Sequence, residues 1–162
     1  MFNFFKKKQN KEVNLVAPIT GKTIDLSAVP DNVFAEKLAG DGIAIDPTGD
    51  VIVSPADGEL TLVFKTMHAF AITLANGAEL LIHIGIDTVS LNGEGFQQLV
   101  EAGTMVKAGT PIIKIDRDFI LSKGLSLITP VLITNMDIVK KLKTNVDKDV
   151  VAGQNEVISF SL

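Results

Sequence analysis

The stretch that decides the fold is residues 66–87, TMHAFAITLANGAELLIHIGID, in which two apolar runs flank Asn76 and Gly77. An Asn-Gly pair between alternating apolar runs is the strongest short-range signal for a β-hairpin, with the pair forming a two-residue turn. The second run also contains a histidine, whose polar ring needs a hydrogen-bonding partner if it is buried. The stretch therefore predicts a hairpin and raises the question of what its histidines do.

The register of this hairpin predicts that the only two histidines of the chain lie side by side. With a two-residue turn, His68 faces Gly85 and Phe70 faces His83. Diagonal neighbours across a hairpin are about 7–8 Å apart, and Gly85 leaves space between the rings. Because side chains alternate along a strand, one face carries the following residues: Thr66, His68, Phe70, Leu81, His83, Gly85 and Asp87.

Working outward, short runs of Val, Ile, Leu and Thr separated by Gly, Pro and Asp continue from residue 13 to the end of the chain. Strands of this length and spacing indicate an all-β antiparallel sandwich or barrel. Residues 100–116 have two glycine turns around a short strand, a pattern also seen in barrel-sandwich hybrid folds. Helical periodicity is limited to three short segments, at residues 30–40, 93–103 and 116–124. We therefore expect an antiparallel sandwich of the duplicated hybrid type with a few short helices.

The length of 162 residues fits one domain. We expect residues 1–12 to be a flexible basic tail and residues 13–162 to be a single domain. Residues 1–11 carry four lysines and no acid, so the rest of the chain has 11 basic and 19 acidic residues. An acidic body disfavours nucleic acid as a ligand and favours a partner with a basic docking face. The phenylalanines and lysines of the tail predict a weak contact with an anionic membrane surface.

Cysteine is absent, which excludes disulfides, thiolate metal sites and cysteine nucleophiles. No apolar run approaches the roughly 18 residues that span a bilayer. The first residues also lack the layout of a secretory signal. We therefore expect a cytoplasmic protein, peripheral at most at the inner face of the membrane.

The histidine pair could serve three kinds of chemistry. A metal centre with Asp87 as a third ligand is short of ligands within one chain, so no metal is expected. Hydrolysis lacks the motifs that supply a nucleophile or a metal, such as HxH or HExxH. Histidine nucleophilic chemistry needs least: a free imidazole nitrogen, a neighbouring hydrogen-bond donor and backbone that fixes the tautomer. A phosphoryl group fits such a site.

Residues 81–96, LIHIGIDTVSLNGEGF, closely resemble the phosphorylation-site signature of the glucose-family enzyme IIA proteins of the bacterial phosphoenolpyruvate-dependent sugar phosphotransferase system. The resemblance extends from about Leu15 to Asp137, through VPDNVFAEKLAGDGIAI, VSPADGEL, TMHAF and ITPVLITNMD. It implies a phosphotransferase component without a cofactor. Such a phosphocarrier takes a phosphoryl group from the small carrier HPr and passes it to a cysteine on the IIB domain of a sugar permease.

The resemblance also implies roles for individual residues. His83 matches the phosphorylated histidine, and His68 matches the second histidine, which contacts the phosphoryl oxygens. Thr66 matches the threonine that is hydrogen-bonded to that second ring, and Gly85 matches the glycine whose carbonyl orients the phosphorylated ring. Asp87 matches an acidic residue that contacts the partner's arginines. With Asp31 and Asp87 at its rim, the implied docking ring consists of Val33, Phe34, Phe64, Leu81 and Val89.

Two alternatives to a phosphocarrier remain open from the sequence. One is a zinc-dependent hydrolase on a related duplicated β fold, against which the missing HxH pair counts. The other is a purely regulatory module that binds proteins and never turns over phosphate.

Overall fold

The computed structural model describes residues 11–162, and the predicted tail falls largely on residues 1–10, outside them. Its fourteen strands, labelled in chain order, are β1 Val13–Val16, β2 Gly21–Ile24, β3 Asp41–Pro47, β4 Val51–Val53, β5 Gly58–Val63, β6 Ala69–Thr73, β7 Glu79–His83, β8 Phe96–Gln98, β9 Met105–Val106, β10 Pro111–Ile115, β11 Thr129–Ile133, β12 Lys141–Thr144, β13 Asp149–Val150 and β14 Glu156–Ser161. Helices are few and short: α1 Asn32–Ala35 and α2 Arg117–Ser122, with 3-10 turns at Leu26–Ala28, Thr88–Leu91 and Met136–Ile138.

The strands form three antiparallel sheets, which confirms the predicted all-β sandwich. One sheet has eight strands in the order β13-β2-β3-β11-β7-β6-β5-β9, and two have three strands each, β1-β14-β12 and β4-β10-β8. Strand β7 lies inside the large sheet between β6 and β11, so its backbone is held on both sides. Within residues 11–162, no helix is long and apolar enough to cross a membrane.

The core is aliphatic and falls into two clusters. The larger one fills the space between the sheets and includes Phe70, Ile82 and Phe160, each at most 1% exposed. The smaller one contains Phe34 and Ile86 and is covered by the segment that carries α1. This small cluster supports the segments that carry the predicted site.

The predicted hairpin register is wrong by one residue. The loop has three residues, because Leu74 and Ala78 pair and the Gly77 amide donates to the Leu74 carbonyl at 3.0 Å. Gly77 has φ of 93°, as in three-residue loops built on a turn that ends in a left-handed residue. Phe70 therefore pairs with Ile82 and points into the core, not toward the histidines.

The helix predicted at residues 93–103 is also wrong. Residues Phe96–Gln98 form β8, an edge strand paired with β10. Gly93 and Gly95 have φ near 90° (90° and 87°), a left-handed conformation that does not continue a helix. The other two helical segments are confirmed by α1 and α2.

Candidate functional site

The two histidines meet, although not by the predicted route. His68 precedes β6 and follows Met67, whose φ of 58° is left-handed and takes His68 out of the strand alternation. His83 is the last residue of β7. The ring centroids are 5.0 Å apart and the ring planes cross at 79°. The predicted convergence is therefore present, whereas the strand geometry from which it was predicted is not.

Hydrogen bonds orient each ring through its Nδ1 atom. His83 Nδ1 lies 2.8 Å from the Gly85 carbonyl oxygen. Since a carbonyl can only accept, Nδ1 carries the proton and neutral His83 has a lone pair on Nε2. His68 Nδ1 lies 2.5 Å from the Thr66 hydroxyl. The four residues predicted for the chemistry thus form two hydrogen-bonded pairs, which meet where the two rings are in contact.

Burial keeps both imidazoles neutral at pH 7. His68 is only 5% exposed, and burial lowers its pKa from 6.5 to about 4, helped by repulsion from His83. His68 therefore lies beneath the surface, whereas His83 is half-buried. Burial also lowers the pKa of His83, opposed by the Gly85 carbonyl and by the carboxylates of Asp31 and Asp87. A neutral His83 is the nucleophilic form.

Aromatic rings enclose the pair. Phe34 packs against His83 with centroids 4.8 Å apart, and Phe64 contacts His68 edge-on at 5.3 Å. Phe34 is 6% exposed, so it supports His83 from below instead of lying on an exposed docking ring. The sequence analysis did not predict that Phe34 packs against His83. The position of Phe34 inside the short apolar turn of α1 was the one signal that could have indicated its burial.

The remaining predicted docking residues differ in how far they are exposed to solvent. Val33 and Val89 are 47% and 51% exposed, and Phe64 and Leu81 are half-buried. Asp31 caps α1 by accepting a hydrogen bond from the Val33 amide at 2.8 Å. Asp87 is exposed, with a left-handed backbone at φ of 59°. Two exposed valines and two carboxylates thus remain available at the surface beside His83.

Residues that sequence reasoning did not single out hold the loop after His83. The Ile86 amide donates to the Ser126 carbonyl at 3.0 Å, and the buried Thr88 hydroxyl donates to the Ile84 carbonyl at 2.5 Å. The only signal for these loop residues in the sequence was their position directly after the strand that ends in His83. Within residues 11–162, no cluster of three His, Cys, Asp or Glu side chains could hold a metal ion.

Comparisons with known proteins identify the family of the chain. A family model described as phosphoenolpyruvate-dependent sugar phosphotransferase system, EIIA 1, matches residues 13–139. A PTS system glucose-specific EIIA component of Oceanobacillus iheyensis is 46% identical over 158 residues, which cover 96% of each chain. A PTS system N-acetylglucosamine-specific EIICBA component of Escherichia coli is 46% identical over 140 residues, or 86% of this chain and 22% of that protein.

A solved structure gives the same result for the fold. The glucose permease IIA from Mycoplasma capricolum superposes with a TM-score of 0.86 at 37% identity, covering 93% of this chain and 96% of that one. These matches support a phosphocarrier in sugar uptake, and they support neither the zinc hydrolase nor the purely regulatory module. The chain belongs to the EIIA 1 family of the phosphoenolpyruvate-dependent sugar phosphotransferase system, in which it is a phosphocarrier.

Proposed function

We propose that His83 carries the phosphoryl group, on Nε2. The observation that carries this proposal is the 2.8 Å contact between His83 Nδ1 and the Gly85 carbonyl. That contact holds the proton on Nδ1 and leaves the Nε2 lone pair free to attack phosphorus. The P–N bond to the donor histidine breaks as the new P–N bond forms, and its electron pair returns to the donor ring.

The proposed donor is the phosphohistidine of HPr, and the proposed acceptor is a cysteine of the IIB domain of a glucose-family sugar permease. In the second transfer the cysteine sulfur attacks phosphorus, and the P–N bond to His83 Nε2 breaks. The relatives named as a glucose-specific EIIA component and an N-acetylglucosamine-specific EIICBA component support this kind of acceptor. The exposed Val33 and Val89, flanked by Asp31 and Asp87, offer an apolar docking patch with an acidic rim for partners with basic faces.

His68 has the proposed role of stabilising the phosphoryl oxygens. Its pKa of about 4 makes the ring neutral at pH 7. When the Thr66 hydroxyl donates to Nδ1, the single proton of the ring lies on Nε2 and can be donated to a phosphoryl oxygen. Phosphoryl transfer asks the protein mainly to position the groups and to stabilise charge on those oxygens. The pair thus divides the work between a nucleophile and a donor.

The test is incubation of the protein with phosphoenolpyruvate, enzyme I and HPr, followed by phosphate analysis and ³¹P NMR. We expect one acid-labile, alkali-stable phosphoryl group per chain, with the chemical shift of the Nε2 isomer of phosphohistidine. His83→Gln should accept none, whereas the matched variant His68→Gln should still be phosphorylated. A stable phosphoryl group on the His83→Gln variant, or the Nδ1 isomer in the wild type, would refute the assignment.

A further inference from the structure

The Gly85 carbonyl that orients His83 lies in a tight loop of residues 84–88. Gly85 and Asp87 both have left-handed backbone, with φ of 78° and 59°. Such conformations are unfavourable for residues with a Cβ, and a non-glycine residue keeps them only where surrounding contacts hold the chain. The direction of the Gly85 carbonyl group therefore depends on the contacts that hold this loop in place.

Thr88 fixes the loop from its buried side. The Thr88 side chain is fully buried, and its hydroxyl donates to the Ile84 carbonyl at 2.5 Å, across the whole loop. Its methyl group lies directly against Gly85, because a Cβ built there would be 2.5 Å from Thr88 Cγ2. Thr88 therefore touches both the first residue of the loop and the residue whose carbonyl holds His83.

The same loop is connected to the second histidine. The Ile84 amide donates to the His68 carbonyl at 2.6 Å, so the peptide units of Ile84 link the Thr88 hydroxyl to the backbone beside His68. If the hydroxyl were absent, the Ile84 carbonyl would lose this donor in a buried position, and the loop would relax to find another. A relaxed loop would no longer hold the Gly85 carbonyl 2.8 Å from His83 Nδ1.

We propose that Thr88 is a positioning residue for phosphoryl transfer, which ties the Ile84 carbonyl across the loop, fixes the Gly85 carbonyl on His83 Nδ1 and so keeps the Nε2 lone pair free. This inference rests on the proposed function of His83. Thr88 acts only through Gly85, because its side chain is fully buried and cannot contact the phosphoryl group of a partner.

The test compares Thr88→Val with Thr23→Val. Valine keeps the shape of threonine and has a methyl group in place of the hydroxyl. Thr23 is an equally buried threonine whose hydroxyl donates to the Asn145 carbonyl at 2.6 Å. It belongs to β2, which β3 and β11 separate from β7 in the sheet. The Thr23 hydroxyl also accepts from the Lys148 amide at 3.0 Å, so Thr23→Val loses at least as many hydrogen bonds as Thr88→Val, but it loses them away from the site.

The first readout is the ¹⁵N chemical shifts of the His83 ring, which distinguish the two neutral tautomers. The wild type and Thr23→Val should show the proton on Nδ1 alone, whereas Thr88→Val should show a mixture of both tautomers. The rate of phosphorylation should fall about 10-fold in Thr88→Val, comparable to the smaller losses seen when a partner that orients a metal-bound histidine is removed. Thr88→Ser keeps the hydroxyl and should restore both the tautomer and most of the rate.

The inference is wrong if Thr88→Val matches Thr23→Val in tautomer and rate. Should Thr88→Val not fold, the wild-type hydroxyl proton of Thr88 provides the test: it should give a slowly exchanging NMR signal, and a rapidly exchanging proton contradicts the proposal. The tautomer measurement needs no phosphoryl donor. It therefore stays informative even if phosphate is found on another residue, an outcome that would refute only the proposed role of His83.

Discussion

His68 is buried beside His83, and this position determines what its loss should do. A phosphoryl dianion on His83 would favour protonation of His68, giving a charge-assisted hydrogen bond of roughly twice the strength of a neutral one. Glutamine can offer only a neutral donor there. We expect His68→Gln to accept phosphate within about 10-fold of the wild-type rate but to donate it to IIB about 100-fold more slowly.

Rapid-quench measurement of single turnovers, starting from the phosphorylated protein, separates the two steps of this prediction. Phosphorylation by HPr, followed in the same variant, is the internal control. Donation from His68→Gln at the wild-type rate would mean that the second ring does not stabilise the phosphoryl group.

The lowered pKa values of the two histidines also predict how stability changes with pH. The unfolded chain binds protons as pH falls through 6.5, whereas folded His68 stays neutral until about pH 4. Stability is therefore fully present above pH 6.5 and is lost as pH falls toward 4, by at most about 1.4 kcal/mol per pH unit for each such histidine. His83, half-buried and beside carboxylates, should contribute less.

Urea unfolding between pH 7 and pH 4.5 measures this dependence. His68→Gln removes the imidazole whose pKa is lowered to about 4 in the folded protein. The free energy of unfolding of this variant should therefore depend less steeply on pH than that of the wild type. An unchanged slope would show that His68 titrates normally in the folded protein.

At the scale of elements, two glycines at the two ends of β7 allow a matched comparison. Both have left-handed backbone, at 93° for Gly77 and 78° for Gly85. A Cβ on Gly77 meets nothing within 4 Å, whereas one on Gly85 lies 2.5 Å from Thr88 Cγ2 and 2.8 Å from the Ser126 carbonyl. Gly77→Ala should therefore cost only the backbone strain, about 1 kcal/mol.

Gly85→Ala adds overpacking to the same strain and should cost at least about 2 kcal/mol more. Equilibrium unfolding in urea gives both values. The alanine at position 85 should also slow phosphorylation, because the loop must shift, and Gly77→Ala should leave that rate unchanged. Equal stability losses in the two variants would mean that the loop after β7 adapts without cost.

The hairpin shows which features of an element the sequence can predict. Alternating apolar residues and Asn76-Gly77 were sufficient to place β6, β7 and the turn between them. The loop length was not predictable from the pair alone, because Gly77 supplies left-handed backbone equally well in a two-residue or a three-residue loop. A one-residue difference moves every side chain to the other face, and this placed Phe70 wrongly.

For the whole molecule, periodicity predicted the all-β class, whereas the arrangement of sheets depends on pairings between distant segments. β7 pairs with β11, about fifty residues later in the chain, and no local pattern specifies that partner. The site was predictable because its chemistry is concentrated in one hairpin with the only two histidines. The proposed role of Thr88 and the contact of Phe34 with His83 were not predicted, because both depend on burial that exists only once the loops close over the small core cluster.

The excess of acidic residues in the chain has a local counterpart at the proposed docking patch, where carboxylates flank the exposed valines. If partners dock there through basic faces, the charges of Asp31 and Asp87 should raise the association rate at low ionic strength. Asparagine can replace both with little structural change: it is a good N-cap for α1 in place of Asp31. It also tolerates the left-handed backbone at position 87, where the side chain makes no capping hydrogen bond.

In the double variant Asp31→Asn and Asp87→Asn, we expect kcat/KM for phosphorylation by HPr to be about 10-fold below that of the wild type at low salt. At about 1 M salt, where the Debye length is only about 3 Å, the two proteins should have nearly the same kcat/KM. His83 is neutral at pH 7 with or without these carboxylates, since they act only to raise a pKa that burial has lowered. The chemical step should therefore be unaffected. Asp149→Asn, on the far edge strand β13, removes one negative charge where the double variant removes two, and it should keep the wild-type rate at every salt concentration. If Asp149→Asn slows the reaction as much per charge, net charge alone attracts the partner; if the double variant keeps the wild-type rate at low salt, docking occurs elsewhere.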